Sequence, residues 1–270
     1  MLPFWLSIGV LSLVQAALVA APKPPATALL DRLSSRWWAL VLPLSIVVVI
    51  TAIAIDSASA RFLTYLALVA VPPLAAAALA WLVRGARLEL ALAVIPLFAL
   101  AWATRSSLGG ESAALALSAL ACVSLGWLVA CVVPAPWLKL GIYAMAVIDT
   151  WLVTSDLLQA PNAVLNTVAP AAGLPRLQLA HFGSAVMGFG DLFVAATLGA
   201  LLASYGRRLQ LRGAALAAII CVAFDLLFFA VDELPSTVPI ALTLAALEVT
   251  GQASSEQRGR RDRQPRQTAG

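Results

Sequence analysis

Three aspartates, Asp149, Asp191 and Asp225, stand inside long apolar stretches of the chain. An ionised carboxylate at the centre of a membrane helix costs about 2.5–3.5 kcal/mol on insertion scales, so each requires a partner or a task. Asp149 lies in IYAMAVIDTWLVTS and Asp191 in HFGSAVMGFGDLFVAA. Two carboxylates brought into contact cannot both ionise readily. The pair holds one proton, and one member acts as base while the other acts as acid. Such a pair can activate water for attack on a peptide carbonyl and then protonate the leaving nitrogen, titrating as a unit. Two other uses of the same acids stay open. Each could be satisfied separately by Ser, Thr or backbone groups, or all three could form a proton relay in a transporter.

The residues before Asp191 add to the first reading. Gly188 and Gly190 flank Phe189, with Gly183 and Ser184 a little upstream. Glycine inside a helix costs roughly 1 kcal/mol against alanine, so a Gly-x-Gly-Asp run needs a compensating use. It clears side chains from beside a carboxylate and lets another backbone come close. Close helix packing through small residues uses the same glycines in another way.

The elements that position these residues are membrane helices. Hydrophobic residues make up 62% of the 270 and charged residues 11%, with mean hydropathy +0.95. That leaves too little polar side chain to cover a water-facing surface. Nine apolar runs follow one another: 3–21, 37–55, 62–83, 88–104, 112–133, 137–158, 180–204, 213–231 and 236–250. The last is short for a span. The expected fold is all-α: a polytopic bundle of about nine transmembrane helices. A loop over about 159–179 carries prolines and asparagines that argue against a further span. Pro72–Pro73 interrupts the third run and Pro96 the fourth, both read as kinks that neighbouring helices re-satisfy.

Basic residues set the orientation. With the N-terminus outside, fourteen Lys and Arg fall on the inner side and only Arg61, Arg105 and Arg176 on the outer, the bias that cytoplasmic loops show. The expected layout is therefore N-out and C-in. Counted from the outer ends, Asp149 lies about nine residues into the sixth run and Asp191 about eleven into the seventh. At about 1.5 Å per residue both come roughly 13–17 Å below the outer surface. Oppositely running neighbours with acids at matched depth give a dyad. Residues 1–134 then form a scaffold, 135–250 the catalytic helices, and 251–270 a polar, basic, disordered cytoplasmic tail.

An aspartate in the sixth run, Gly188-Phe189-Gly190-Asp191 in the seventh and a proline-headed ninth run together resemble the presenilin and signal-peptide-peptidase family of GxGD intramembrane aspartyl proteases. The resemblance covers about residues 136–247. It implies a presenilin-like bundle of nine helices with catalytic aspartates at Asp149 and Asp191. The family's Pro-Ala-Leu motif has its counterpart in Pro239, Ala241 and Leu242, broken here by Ile240. The tyrosine that usually precedes the first aspartate is replaced by Ile148, although Tyr143 lies about one and a half turns earlier. The N-out orientation is that of a signal-peptide-peptidase-like member. Gly188, Phe189, Gly190 and the segment Pro239, Ile240, Ala241, Leu242 are the expected substrate contacts, the last holding substrate backbone as an added strand.

Other chemistries are excluded or secondary. His181 is the only histidine, so neither an HExxH protease nor a multi-histidine metal site is possible. Cys122, Cys131 and Cys221 all lie in apolar runs and read as small buried hydrophobes. The pI of about 9.3 reflects charge placed for topology and not a nucleic-acid surface. Asp225 reads as structurally paired, Glu248 as close enough to the inner surface to reach water, and Trp37, Trp38, Trp137 and Trp151 as interface anchors. The expectation is a multi-pass protein of the cell membrane that cleaves a transmembrane peptide, protein or remnant signal peptide without metal or organic cofactor. The alternatives are a proton-coupled transporter and a catalytically inactive polytopic protein.

Overall fold

The computed structural model describes residues 3–26, 30–56, 58–105, 107–157, 159–167, 173–231 and 233–251. The proposed tail beyond Gly251 lies outside them. All nine apolar runs form helices. Five are long and apolar enough to cross a membrane: Arg36–Ile55, Ala58–Leu82, Leu108–Val132, Ala135–Thr154 and Arg207–Phe229. Four are shorter: Phe4–Ala20, Leu88–Ala103, Phe189–Tyr205 and Val238–Val249. Large apolar side chains on their outer faces, Val48, Val69, Ile95 and Val147 among them, are more than 60% exposed, as lipid-facing surfaces require. The chain is a helical membrane protein.

In chain order the helices are α1 (Phe4–Ala20), α2 (Val41–Ile55), α3 (Ala58–Ala77), α4 (Val94–Ala103), α5 (Leu108–Val132), α6 (Ala135–Thr154) and α7 (Gln159–Thr167). After a two-stranded hairpin, β1 (Leu179–Phe182) and β2 (Ala185–Gly188), come α8 (Phe189–Tyr205), α9 (Arg207–Asp225) and α10 (Val238–Val249). The sixth, seventh, eighth and ninth runs are thus α6, α8, α9 and α10. α7 falls in the stretch expected as loop, and its nine residues are too few to span.

Local chemistry sets several boundaries. The Ser107 hydroxyl accepts from Gly110 N–H at 3.3 Å and Glu111 stands in the first turn of α5, where both oppose the exposed amides of a helix start. Pro136 and Pro239 sit in the first turns of α6 and α10, where a missing N–H costs nothing. α3 runs straight through Pro72 and Pro73 and widens into one π-helical turn, Ala78–Leu82. Just before this turn the Leu74 carbonyl accepts from the Ser124 hydroxyl at 2.6 Å, which ties α3 to α5.

The main correction concerns the seventh run. Residues 180–188 are not helical. They belong to the hairpin, antiparallel with Phe182 opposite Ala185. Its two-residue turn, Gly183–Ser184, puts glycine first at φ 62°, the backbone region a type II′ hairpin turn needs and other residues avoid. The Glu111 carboxylate accepts from Gly183 N–H at 2.7 Å and lies 3.4 Å from His181, fixing the hairpin to the start of α5.

α8 is the axis of the bundle. Every residue from Leu192 to Ala203 is buried. α5 covers it most extensively, α1 follows, and α6 and α10 touch it near the aspartates. Such close approach requires small residues at the crossings. A Cβ added at Gly126 would stand 2.6 Å from the Thr197 amide nitrogen; one at Gly199 would stand 2.6 Å from the Leu18 carbonyl oxygen. Backbone atoms cannot give way as a side-chain tip can. Gly199→Val is therefore expected to destabilise the protein by about 1–3 kcal/mol, read as a lowered unfolding midpoint in detergent. Gly9→Ala, where a Cβ meets nothing within 4 Å, should leave that midpoint unchanged.

Candidate active site

Asp149 projects from the second half of α6 and is 5% exposed. Its Oδ2 accepts from the Thr237 hydroxyl at 2.7 Å and from the Thr237 backbone N–H at 3.3 Å. Thr237 is the residue immediately before α10 and is wholly buried. The carboxylate thus receives an amide at a helix start, which leaves its first N–H groups without helical partners.

Asp191 occupies the third position of α8, not the middle of a long helix. It is partly exposed, and its Oδ2 accepts from the Gly188 backbone N–H at 3.0 Å. A carboxylate at this position reaching back to the amide that precedes the helix is half of a capping box, and its negative charge opposes the positive end of the helix dipole. Counting eleven residues of helix above Asp191 therefore fails, and so does the depth derived from it. The pairing rests on other contacts. A Cβ at Gly190 would lie 3.4 Å from Cε of Met145, one turn before Asp149 on α6, so the first turn of α8 packs beside the α6 face that carries Asp149. Both acids stand where a helix begins, α10 for Asp149 and α8 for Asp191.

The other expected site residues divide. Gly188 ends β2 and immediately precedes α8; Phe189 and Gly190 open that helix. The glycines are therefore not mid-helix residues carrying a helix penalty. They mark the strand-to-helix corner. A Cβ on Gly188 would lie 3.0 Å from Asp191 Oδ2, so the bare backbone lets the acid sit close without shifting. Pro239, Ile240 and Ala241 are buried in the first turn of α10, while Leu242 faces outward at 47% exposure. This segment is helical: Ala241 N–H donates to the Thr237 carbonyl at 3.1 Å, and the Thr243 hydroxyl donates to that of Pro239 at 2.8 Å. Carbonyls so engaged cannot also pair with an extended substrate, so the expectation of an added strand along Pro239–Leu242 is overturned.

Tyr143 is committed elsewhere. Its hydroxyl donates to Glu248 Oε2 at 2.7 Å, and Lys139 Nζ lies 2.7 Å from the other oxygen of Glu248. This ties α6 to the far end of α10, so Glu248 is an ion-paired strut. Asp225 accepts from Ser12 of α1 at 2.7 Å, the structural pairing expected of it. All three cysteines are buried and free.

Thr237 is the residue sequence reading passed over. A threonine two positions before a proline-headed run is a helix-start signal, but that signal predicts a hydroxyl turned to its own helix. Here it is turned to an acid 88 positions away in the chain. Among the described residues no three His, Cys, Asp or Glu side chains gather as a metal-ligand set. Comparison with protein-family models, with curated proteins and with solved structures gives no match.

Proposed function

We propose that this chain is an intramembrane aspartyl protease of the cell membrane, with nine spans, the N-terminus outside and the C-terminus in the cytoplasm. One observation carries the reading. Asp149 and Asp191 come from separate helices, each bonded to an amide at a helix start, and Met145, one turn before Asp149, packs against Gly190, the residue before Asp191. In each, Oδ2 is taken by a backbone amide, which turns the chemistry to Oδ1. The ionised member takes a proton from water as the water oxygen bonds to the scissile carbonyl carbon. The protonated member then gives its proton to the nitrogen as the C–N bond breaks. The substrate is a transmembrane peptide or protein, or a remnant signal peptide, whose helix must open locally to expose that bond. Gly188, Phe189 and Gly190 would flank it, and Leu242 presents an exposed apolar side chain on α10 for contact with the substrate.

The relay reading draws less support, because Asp225 is engaged by the Ser12 hydroxyl of α1 and no hydrogen bond among the described residues joins it to Asp149 or Asp191. The test is cleavage of a transmembrane reporter by purified protein in vesicles, with proton flux measured in parallel. Cleavage that needs both aspartates supports the protease. Acid-driven flux with an intact reporter would replace it with the transporter.

A further inference from the structure

Away from the aspartates, four segments meet around one amide. Residues 21–23, just after α1, run beside 82–84, just after the span that ends at Leu82. Lys23 N–H donates to the Leu82 carbonyl at 2.7 Å and Arg84 N–H to that of Ala21 at 3.0 Å, so the backbone of Arg84 is fixed. Gln210, in the first turn of α9, is fully buried. Its Nε2 donates to the carbonyls of Pro22 at 2.9 Å and Gly199 at 3.2 Å. Those two bonds decide which way the amide faces, because a flipped amide would set oxygen against two carbonyls and nitrogen against guanidinium groups.

The oxygen of Gln210 therefore faces two arginines. Arg84 donates to it through Nε at 3.1 Å and Nη2 at 2.7 Å; Arg207 donates through Nη1 at 3.0 Å and also reaches the Ala20 carbonyl. Two cations are thus held no further apart than two hydrogen bonds through a shared neutral acceptor. Among the described residues no carboxylate lies within 4 Å of either; the ion pairs there are Lys139 with Glu248 and His181 with Glu111. Burial and the neighbouring charge of Arg207 hold the Arg84 guanidinium below its ordinary value, as expected of like charges pressed together without a counter-charge. Arg84 keeps Nη1, and Arg207 keeps Nε and Nη2, outside any bond to the described residues.

We propose that Arg84 and Arg207, braced side by side by Gln210, bind a phosphate-bearing anion where the helices leave the membrane. Paired guanidinium forks match the several oxygens of a phosphate, and basic pockets between helices at a membrane surface take lipid headgroups. The location agrees with this: one apolar span ends at Leu82 and another begins at Arg207. A phospholipid headgroup and free phosphate both offer the group, and the test separates them.

The full chain, purified in neutral detergent, is titrated with short-chain phosphatidylglycerol, with phosphatidylcholine and with inorganic phosphate, and the unfolding midpoint is followed. Saturable stabilisation by phosphatidylglycerol is expected. Its apparent affinity should fall about tenfold in Arg84→Gln or Arg207→Gln, and the response should vanish in the double variant. A response to inorganic phosphate equal to that of the lipid, lost in the same variants, would assign free phosphate as the ligand. Arg207 is exposed, so its single variant should fold and keep the test open if the double one does not. A double Arg→Lys variant keeps the charge and should recover part of the binding. Titrations that do not differ between wild type and Arg207→Gln overturn the site. Because no aspartate takes part, this outcome is independent of whether the chain cleaves peptides.

Discussion

Asp149→Asn and Asp191→Asn should each lower turnover of a transmembrane reporter by about 10²–10⁴-fold, the range that positioned acid–base groups contribute. Asparagine suits this test because each acid also has a structural task. Asp149 receives the amide and hydroxyl of Thr237, and Asp191 receives the amide of Gly188. An asparagine oxygen can accept the same bonds, so the helix starts stay satisfied while the titratable proton is lost. The unfolding midpoints of both variants should lie close to wild type. The double variant is the sharper measurement: groups that act as one unit are strongly non-additive, so it should be little worse than either single change. Losses that multiply, or full turnover in either single variant, would separate the two acids and end the dyad interpretation.

Thr237→Val should lower kcat by roughly 10- to 150-fold with KM little changed, the worth of a hydrogen bond of about 1.5–3 kcal/mol to a charged group. Valine keeps the shape of threonine and leaves the backbone amide in place, so the change removes one 2.7 Å bond to Asp149 and little else. Thr237→Ser restores the hydroxyl and should recover most of the rate. A merely structural threonine would instead lower the unfolding midpoint in proportion to the activity lost, and serine would repair both together. On the proposed reading Thr237 is a positioning residue, acting on the reaction through Asp149.

How much of this was legible in the chain depends on the range of the interaction. Apolar runs of membrane length announce themselves, and each of the nine contains a helix within about four residues of the limits expected, apart from the start of the seventh and that of the eighth, which opens six residues early at Arg207. There LQLAHFGSAVMG is apolar throughout and joins the following run without a polar break. Four-residue strands are too short to display a period, and the Gly183–Ser184 turn signal was masked by its apolar flanks. The aspartates were legible because charge in an apolar run is conspicuous. Their partners were not: the Asp149–Thr237 bond, the Ser12–Asp225 bond and the Gln210 cluster each join residues far apart in sequence. Pro239 was read correctly as opening a helix, but the added strand expected along Pro239–Leu242 was not reconciled with that, since a first turn closed by helical bonds offers no strand edge.

The 12 residues of α10 make a rod of about 18 Å, and the 17 of α8 one of about 26 Å, where the oily layer is about 30 Å deep. Both rods start beside an aspartate, so on the proposed protease reading the missing length falls at the reaction centre. Lipid tails offer nothing to the bare amides of a rod that starts too low, whereas water and the carboxylates do. If both rods span, as proposed, the shortfall would open a hydrated notch in the bilayer at that point. A hydrolytic reaction placed there would draw its second reactant directly from the surrounding medium, with no conduit through the bundle.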